Sequence, residues 1–229
     1  MKAIHSNSVR FLKLHLHNYG IFRGSHDFVF DPQRTIIIGE GGTGKTTIIN
    51  ALKYLGPAPG VKPHFGDKSG DMSAEVITSR NRDLIKRFRH IVFLDHESTQ
   101  VLARKQEDMF ADVLDDQQKE MIKVEVRNIF NTLVTEKIWK AEDYKDLNPE
   151  IMSAGERVCL GYAYAFAFRK VLNLDLPIVF DSPYGALDLR LSKGMRAFLK
   201  KQACQQILLG TEKELREESE PDYKLIHTR

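Results

Sequence analysis

Between residues 35 and 55 a short apolar run passes directly into a glycine-rich loop and then into a helical pattern. The apolar run, residues 35–38, is typical of a strand buried in a parallel sheet. The loop fits the pattern G-x-x-x-x-G-K-[ST], which turns backbone N–H groups toward phosphate oxygens at the start of a helix. We therefore predict a nucleotide-binding loop formed by Gly39, Glu40, Gly41, Gly42, Thr43, Gly44, Lys45, Thr46 and Thr47.

A second acidic group is expected to complete this site. Residues 176–180 form another apolar run, and Asp181 follows it where a parallel strand would end. In this interpretation Lys45 neutralises the β- and γ-phosphates, the hydroxyl of Thr46 binds Mg²⁺, and Asp181 holds the same ion through water. The alternative is that Asp181 is only a capping or turn residue before Pro183.

A strongly helical segment, residues 153–172, opens with a hydroxyl, two small side chains and a carboxylate: Ser153, Ala154, Gly155 and Glu156. Ser153 and Glu156 have the S-x-x-E spacing of a capping box, which by itself indicates only a well-capped helix. The segment nevertheless follows the phosphate loop and precedes Asp181. A helix N-terminus with a hydroxyl is also well suited to bind a phosphate, so both interpretations stay open.

The order of these motifs resembles that of ABC-class ATPases. The segment Met152-Ser-Ala-Gly-Glu-Arg157 resembles the signature motif of the SMC, RecF and DndD branch. Residues 180–188, FDSPYGALD, resemble the Walker B strand and D-loop of that branch and are closest in wording to DndD-like proteins. Residues 16–24 resemble its N-terminal hairpin.

This resemblance implies a P-loop ATPase head domain that forms a homodimer face to face, with ATP and Mg²⁺ between the two copies. Each ATP would lie on one copy's phosphate loop and meet the other copy's Ser153, Ala154, Gly155 and Glu156, with Asp188 at the interface. The resemblance also implies a role in DNA repair or maintenance, or in anti-phage defence. DNA and a nuclease or another effector are then the candidate partners.

Several positions depart from the pattern of the branch. Many such ATPases carry a Glu after the Walker B Asp as general base, where this chain has Ser182, and a His after the next strand, where Thr211 stands. Because a general base contributes about 10²–10⁴-fold, we expect slow hydrolysis of ATP to ADP and phosphate, or hydrolysis through another group such as Glu212. DndD-like proteins also lack that Glu, so Ser182 alone does not indicate an inactive enzyme. The glutamine expected at the Mg²⁺ site is Gln100, with His96 as the alternative.

The remaining pattern predicts an α/β fold: an ABC-type head with a mainly parallel central sheet, an N-terminal antiparallel hairpin and a helical lobe. The hairpin is expected at residues 9–17 and 22–30, further strands at 73–78, 91–94, 206–209 and 223–226, and helical structure at 98–139. We expect a single head domain, 1–229, made of an N-terminal lobe (1–95), a helical insertion (96–150) and a C-terminal lobe (151–229). SMC-class relatives carry a long coiled coil at the insertion, so this chain is either naturally compact or has had its arms removed.

The composition is that of an ordinary globular protein. Of 229 residues 42% are hydrophobic and 28% charged, and the net charge of +3 permits contact with nucleic acid without arguing for it. A cluster of basic residues has two possible interpretations: a surface that contacts the phosphates of nucleic acid, or a charged, solvent-exposed edge next to a strand. Its members are Arg80, Arg82, Lys86, Arg87 and Arg89. No apolar run reaches the ~18 residues of a membrane span and no signal-peptide pattern opens the chain. We therefore expect a cytoplasmic protein whose two cysteines are reduced.

Two other functions remain open at this stage. The first is an ATP-dependent switch that recruits a nuclease or another effector without catalysis, which Ser182 and Thr211 favour. The second is the nucleotide-binding domain of a transporter. The N-terminal hairpin and the wording of the signature argue against the second function.

Overall fold

The computed structural model describes residues 8–62, 71–79, 82–110, 114–134, 147–218 and 224–228. The strands in these ranges are β1 (Phe11–His17), β2 (Ser25–Val29), β3 (Arg34–Ile38), β4 (Ser73–Thr78), β5 (Phe93–Leu94), β6 (Ile178–Asp181), β7 (Gln206–Gly210) and β8 (Lys224–His227). The helices are α1 (Lys45–Tyr54), α2 (Asp83–Arg87), α3 (Arg89–Val92), α4 (His96–Phe110), α5 (Asp116–Val134), α6 (Ala154–Val171), α7 (Leu189–Lys200) and α8 (Glu212–Leu215). Single 3₁₀ turns lie at Pro149–Ile151 and Arg216–Glu218.

The larger sheet has the strand order β5-β6-β7-β3-β8. β3 runs parallel to both β7 and β8, and β6 runs parallel to β7. Every residue of β3 and of β7 is buried, as expected for strands covered on both faces of a parallel sheet. The predicted α/β fold with a mainly parallel central sheet is confirmed.

The smaller sheet contains the predicted hairpin and one further strand, in the order β2-β1-β4, with both pairs antiparallel. On β1, Phe11, Leu14 and Leu16 are fully buried whereas Leu12 is 43% exposed, so one face of the strand joins the core. The buried Gln205 side chain ties this sheet to the larger one. It accepts a hydrogen bond from the Phe11 N–H and donates to the Phe11 carbonyl, each at 2.8 Å.

The helical part is packed closely around α6. A Cβ atom at Gly161 of α6 would lie 2.3 Å from the carbonyl oxygen of Thr99 in α4, and a Cβ at Gly194 of α7 would lie 2.4 Å from that of Leu133 in α5. Both contacts require glycine because a side chain would push the backbones apart. Three of the four aromatic residues of α6 are core residues, since Tyr162, Phe166 and Phe168 are each at most 5% exposed, whereas Tyr164 is half-buried.

The chain forms two compact units that are discontinuous in sequence. Unit 1 contains residues 1–93, 175–182 and 204–229, and therefore the smaller sheet and most strands of the larger one. Unit 2 contains residues 94–174 and 183–203, and therefore α4, α5, α6 and α7. The phosphate loop and Asp181 belong to unit 1, and the signature segment and Asp188 belong to unit 2.

Two expectations about secondary structure need correction. The strand predicted for residues 91–94 is wrong over its first half, since Arg89–Val92 is helical and only Phe93–Leu94 is a strand. The helical stretch predicted for residues 98–139 is divided into α4 and α5, and α4 bends at Lys105, whose φ of −129° is not helical. The end of that stretch, from residue 135, lies outside the described residues.

Candidate functional site

The phosphate loop connects the buried strand β3 to helix α1, as the sequence predicts. Gly44 is the N-cap of α1 and has φ +97°, a conformation that favours glycine. A Cβ at Gly44 would lie 2.6 Å from the Phe22 ring, so the loop after β1 packs directly on the phosphate loop. At its other end, a Cβ at Gly39 would collide with the Thr228 hydroxyl at 2.0 Å.

The side chain of Lys45 points back across the mouth of this loop. Its Nζ donates to the carbonyl oxygens of Gly39 at 2.5 Å and Glu40 at 2.8 Å. The Thr43 hydroxyl also donates to the Glu40 carbonyl, at 2.9 Å, and so stabilises the turn. The ammonium group is therefore placed where a phosphate held by the loop would need a counter-charge.

The start of α1 differs from the starts of α6, α7 and α8. Its N-cap residue, Gly44, makes no side-chain capping bond. In the other three helices a side-chain oxygen caps the first turn: that of Ser153 in α6, that of Asp188 in α7 and that of Thr211 in α8. The first backbone N–H groups of α1 therefore donate no hydrogen bond to a side chain of the N-cap residue. No Cβ at Gly41 or Gly42 would have a neighbour within 4 Å, so the loop is open on that side.

Asp181 lies at the carboxyl edge of the same sheet. It is half-buried at the end of β6, two strands from β3 with β7 between them, a separation of about 10 Å. The Gly39 N–H donates to the Gly210 carbonyl at 3.1 Å, and the Ser182 N–H donates to the Leu209 carbonyl at 2.8 Å. The residues that follow β3, β6 and β7 are thus held together at one edge, in unit 1.

The position after Asp181 has an unusual backbone. Ser182 has φ +55°, which is uncommon for a residue other than glycine. Its side chain is exposed, and its hydroxyl donates to Glu214 Oε2 at 2.8 Å. The sequence does not suggest this pair, because the two residues are 32 positions apart.

The residues after β7 differ in what their side chains do. Thr211, predicted to stand in place of a histidine, is the N-cap of α8 and accepts the Glu214 N–H at 3.3 Å. Glu212, the predicted substitute base, is 63% exposed and lies 3.8 Å from the Arg216 guanidinium. Glu214, which belongs to none of the sequence motifs, is half-buried and contacts Ser182. Because Thr211 and Glu214 have the T-x-x-E spacing of a capping box, the sequence indicates only a helix cap at these two positions.

The signature segment forms the complete capping box that its spacing indicates. The Ser153 hydroxyl accepts the Glu156 N–H at 3.3 Å, and Glu156 Oε2 accepts the Ser153 N–H at 2.8 Å. Ser153 and Ala154 are exposed, Glu156 is half-buried and Gly155 is buried. The capping box thus fixes an exposed serine at the positive end of an 18-residue helix.

The D-loop segment packs against this helix start within unit 2. A Cβ at Gly155 would lie 2.9 Å from Leu191 Cδ1 and 3.2 Å from the Ala186 carbonyl oxygen. Asp188 is exposed and caps α7 by accepting the Leu191 N–H at 2.8 Å. Two exposed apolar side chains flank these segments in the sequence: Ile151 is 75% exposed and Leu189 is 67% exposed.

Gln100 and His96 lie in the first turns of α4, in unit 2, where Gln100 is half-buried and His96 exposed. Their role at a Mg²⁺ site stays a prediction.

Tyr19, in the loop after β1, has a structural role. Its buried hydroxyl accepts the Ala58 N–H at 2.6 Å, and burial raises the pKa of Tyr19 above its ordinary value.

The basic cluster is partly committed to local contacts. Arg82 donates to the Leu55 carbonyl at 2.9 Å, Lys86 lies 3.5 Å from Asp83, and the Arg87 guanidinium lies over the Phe88 ring. Arg80 lies outside the described residues.

The described part of the chain contains neither a group of metal-binding side chains nor a membrane-spanning helix. Across the described ranges, no three or more His, Cys, Asp or Glu side chains are grouped so that they could hold a metal ion. In the same part of the chain, every helix is too short or too polar to cross a membrane.

Comparisons with solved structures support the fold. The chain is similar to the SMC head domain from Thermotoga maritima, with a TM-score of 0.58 and 17% identity over 92% of each chain. It is also similar to the Smc head domain with an extended coiled coil from Pyrococcus furiosus, bound to the C-terminal domain of ScpA, with a TM-score of 0.63 and 12% identity over 96% of this chain and 94% of that one. A third match is an Smc head bound to the C-winged helix domain of ScpA, with a TM-score of 0.56 and 15% identity over 88% and 89% of the two chains.

The family assignment comes from the sequence. No curated protein matches the chain significantly. The family model described as "AAA domain" matches residues 13–143, more than half of the chain. Together with the similarity to solved SMC heads, this match confirms the predicted resemblance to an SMC-type head. The closer likeness to DndD-like proteins stays a prediction. The chain therefore belongs to the AAA domain family and has the fold of an SMC-type ABC ATPase head.

Proposed function

We propose that this protein binds ATP with Mg²⁺ and pairs with a second copy around the nucleotide. It hydrolyses ATP slowly to ADP and phosphate, and it acts in the cytoplasm in DNA repair or maintenance, or in anti-phage defence. The observation that carries the proposal is the uncapped start of α1 behind an open glycine loop, with the Lys45 ammonium at its mouth.

The charge and geometry of this loop favour a polyphosphate. Backbone N–H groups at the start of α1 and the positive end of its dipole attract an anion, and Lys45 supplies a full positive charge beside them. The 10-residue helix is long enough for this dipole. Phe22 and Thr228, packed against Gly44 and Gly39, hold the loop in the conformation that points these groups toward the ligand.

Mg²⁺ fits the oxygen donors at this edge of the sheet. Thr46 is exposed at the start of α1 and Asp181 is half-buried at the end of β6, and hydroxyl and carboxylate oxygens are the donors that Mg²⁺ prefers. Thr46 and Asp181 would hold the ion, with ATP phosphates as further ligands. When bound, Mg²⁺ offsets the negative charge of the β- and γ-phosphates.

Pairing of two copies is supported by the surface of unit 2. Ser153 is exposed at the start of α6, and the D-loop backbone packs against Gly155 of the same helix, so the two motifs form one surface. The exposed Ile151 and Leu189 adjoin these motifs, and exposed apolar side chains beside polar ones are typical of interaction sites. The γ-phosphate on one copy would meet Ser153 of the other.

The cellular role rests on the resemblance of the signature and D-loop motifs to the SMC, RecF and DndD branch. Two of the similar solved heads are bound to ScpA domains, so heads of this fold also bind other proteins. DNA and a nuclease or another effector are the partners that we propose for this chain.

ATP binding is tested by thermal unfolding with and without MgATP. We expect MgATP at about 100 times its Kd to stabilise the wild-type protein by about 2.7 kcal/mol, and Lys45→Ala to remove this effect. Lys53→Ala changes the other end of the same helix and serves as the matched control. Equal stabilisation of both variants would contradict the assignment of the phosphate loop.

A further inference from the structure

The carboxylate of Glu214 lies at the edge of the sheet where the expected general base is missing. Its Oε2 accepts the Ser182 hydroxyl at 2.8 Å. The same oxygen would lie 2.8 Å from a Cβ at Gly210, so the carboxylate sits directly over the last residue of β7. This glycine leaves the space that the carboxylate occupies.

The backbone holds both members of this pair in place. The Ser182 N–H is bound to the Leu209 carbonyl at 2.8 Å, and the positive φ of Ser182 turns the chain just after Asp181. On the other side, Thr211 caps α8 through the Glu214 N–H, which fixes Glu214 in the first turn of that helix.

The position of β7 places Glu214 between the two halves of the nucleotide site. β7 lies between β6, which ends at Asp181, and β3, which leads into the phosphate loop. The Gly39 N–H, at the start of that loop, donates to the Gly210 carbonyl. Gly210 is the same residue beside which the Glu214 carboxylate lies. Glu214 is half-buried and Ser182 is exposed, so water reaches the pair.

We propose that Glu214 is the general base of ATP hydrolysis and that Ser182 positions it, an inference that rests on the proposed function. In the step, the oxygen of a water molecule forms a bond to the γ-phosphorus. The bond from the γ-phosphorus to the β,γ-bridging oxygen breaks, and its electron pair leaves with ADP. The proton of the water passes to the Glu214 carboxylate and is then released with phosphate.

The chemistry of the neighbouring groups favours Glu214 over the other candidates. A serine hydroxyl is a far weaker base than a carboxylate at neutral pH, but it is a good hydrogen-bond donor to one. Glu212 is 63% exposed and lies beside Arg216, whereas Glu214 is directed over the strand end that links the phosphate loop to Asp181. Although Ser182 stands where a glutamate base is expected, the site still has a base, because the Ser182 hydroxyl binds the Glu214 carboxylate of α8.

Glu214→Gln tests the proposal, with phosphate release and MgATP binding measured together. We expect turnover to fall about 10²–10⁴-fold while MgATP still stabilises the variant as it stabilises the wild type. Because ATP then stays intact, complexes of the variant with ATP should outlast those of the wild type. Glu217→Gln, an exposed glutamate in the next turn, is the matched control and should keep wild-type turnover.

A second variant separates a catalytic carboxylate from a structural one. The double variant Ser182→Glu/Glu214→Gln places a carboxylate directly after Asp181. Because a general base contributes about 10²–10⁴-fold, we expect its turnover to be at least about tenfold higher than that of Glu214→Gln. Undiminished turnover in Glu214→Gln, or loss of turnover in Glu212→Gln instead, would overturn the inference alone. A wild type that binds MgATP without hydrolysing it would overturn both the inference and the hydrolysis stated in the proposed function. Failure of the wild type to bind MgATP would overturn the proposed function itself.

Discussion

At Cys159, burial and charge act in the same direction. The side chain is fully buried one turn along α6 from Gly155. Burial and, to a lesser extent, the negative charges of Glu156 and Asp188 together raise the pKa of Cys159 to about 12, against a smaller opposing effect of Arg190. The thiol inside the signature helix is therefore neutral and unreactive over the physiological pH range.

We predict that Cys159 resists alkylation while the protein is folded. At pH 8 only about one thiol in 10⁴ would be ionised, since the pKa lies about four units higher, and the reagent also has no access. N-ethylmaleimide labelling followed by peptide mass spectrometry should modify Cys159 only after denaturation. The half-buried Cys204 provides the comparison within the same sample. Rapid labelling of Cys159 in the folded protein would mean that the start of α6 opens.

The residues of the site differ in how far the sequence reveals them. Lys45 and Thr46 are predictable because every group of the phosphate loop lies within a few positions of the chain. Glu214 is not, because its role depends on the positive φ of Ser182 and on the pairing of β6 with β7, which no local pattern records. In sequence, Glu214 has only the spacing of an ordinary capping residue.

At the scale of elements, the helical part depends on close approach between backbones. α6 reaches α4 through Gly161, where a Cβ would lie 2.3 Å from the carbonyl oxygen of Thr99 and 2.8 Å from its Cα. These neighbours are backbone atoms, which cannot move aside as a flexible side chain would. Gly161 is therefore a packing position although it lies in the middle of a helix, where glycine costs about 1 kcal/mol relative to alanine.

We predict that Gly161→Ala destabilises the protein despite the better helix propensity of alanine. Overpacking typically costs about 1–3 kcal/mol, and because the clashing atoms belong to the Thr99 backbone we expect a cost in the upper part of that range, above the propensity gain of about 1 kcal/mol. Urea unfolding measures the effect. Gly41→Ala, at a loop position where a Cβ has no neighbour within 4 Å, is the control and should change the free energy of unfolding little. A clear stabilisation by Gly161→Ala would show that α4 and α6 can separate without cost.

The elements themselves are predictable to the extent that their patterns are long or strongly periodic. The alternation of β1 and the continuous apolar run of β3 identify both strands, and the capping spacing places the start of α6 correctly. Residues 91–94 are apolar but too short for periodicity to distinguish a buried helical turn from a strand, and the structure contains both. The order of the strands in the larger sheet depends on long-range pairing and is not encoded in any single segment.

At the scale of the whole molecule, the motifs are divided between the two units. The phosphate loop, Asp181 and Glu214 belong to unit 1, which contains three separate parts of the chain, and Ser153 and Asp188 belong to unit 2. The linear order of motifs cannot show this division, because the chain passes from unit 2 into unit 1 and back around Asp181. In the proposed pairing, unit 1 of one copy and unit 2 of the other would contribute to each nucleotide site.

We predict that pairing requires both a γ-phosphate and Ser153. With MgATP or a non-hydrolysable analogue, light scattering should give twice the mass found without nucleotide, and MgADP should not replace it. Ser153→Arg should weaken pairing at least about 100-fold, or about 2.7 kcal/mol, because a long side chain replaces the exposed hydroxyl, whereas ATP binding on the phosphate loop should remain.

The loss of a helix cap has to be separated from the loss of an interface. Replacing an N-cap serine costs about 1 kcal/mol of stability, so Ser153→Thr, which keeps the hydroxyl and the cap, should pair as the wild type does. Ser73→Arg introduces the same charge at an exposed serine of β4 and controls for charge alone. If Ser153→Arg pairs normally, or if the wild type remains a monomer with MgATP, the signature segment is only a capped helix. A hydroxyl at the start of α6 would then stabilise that helix without sensing a phosphate from a second copy.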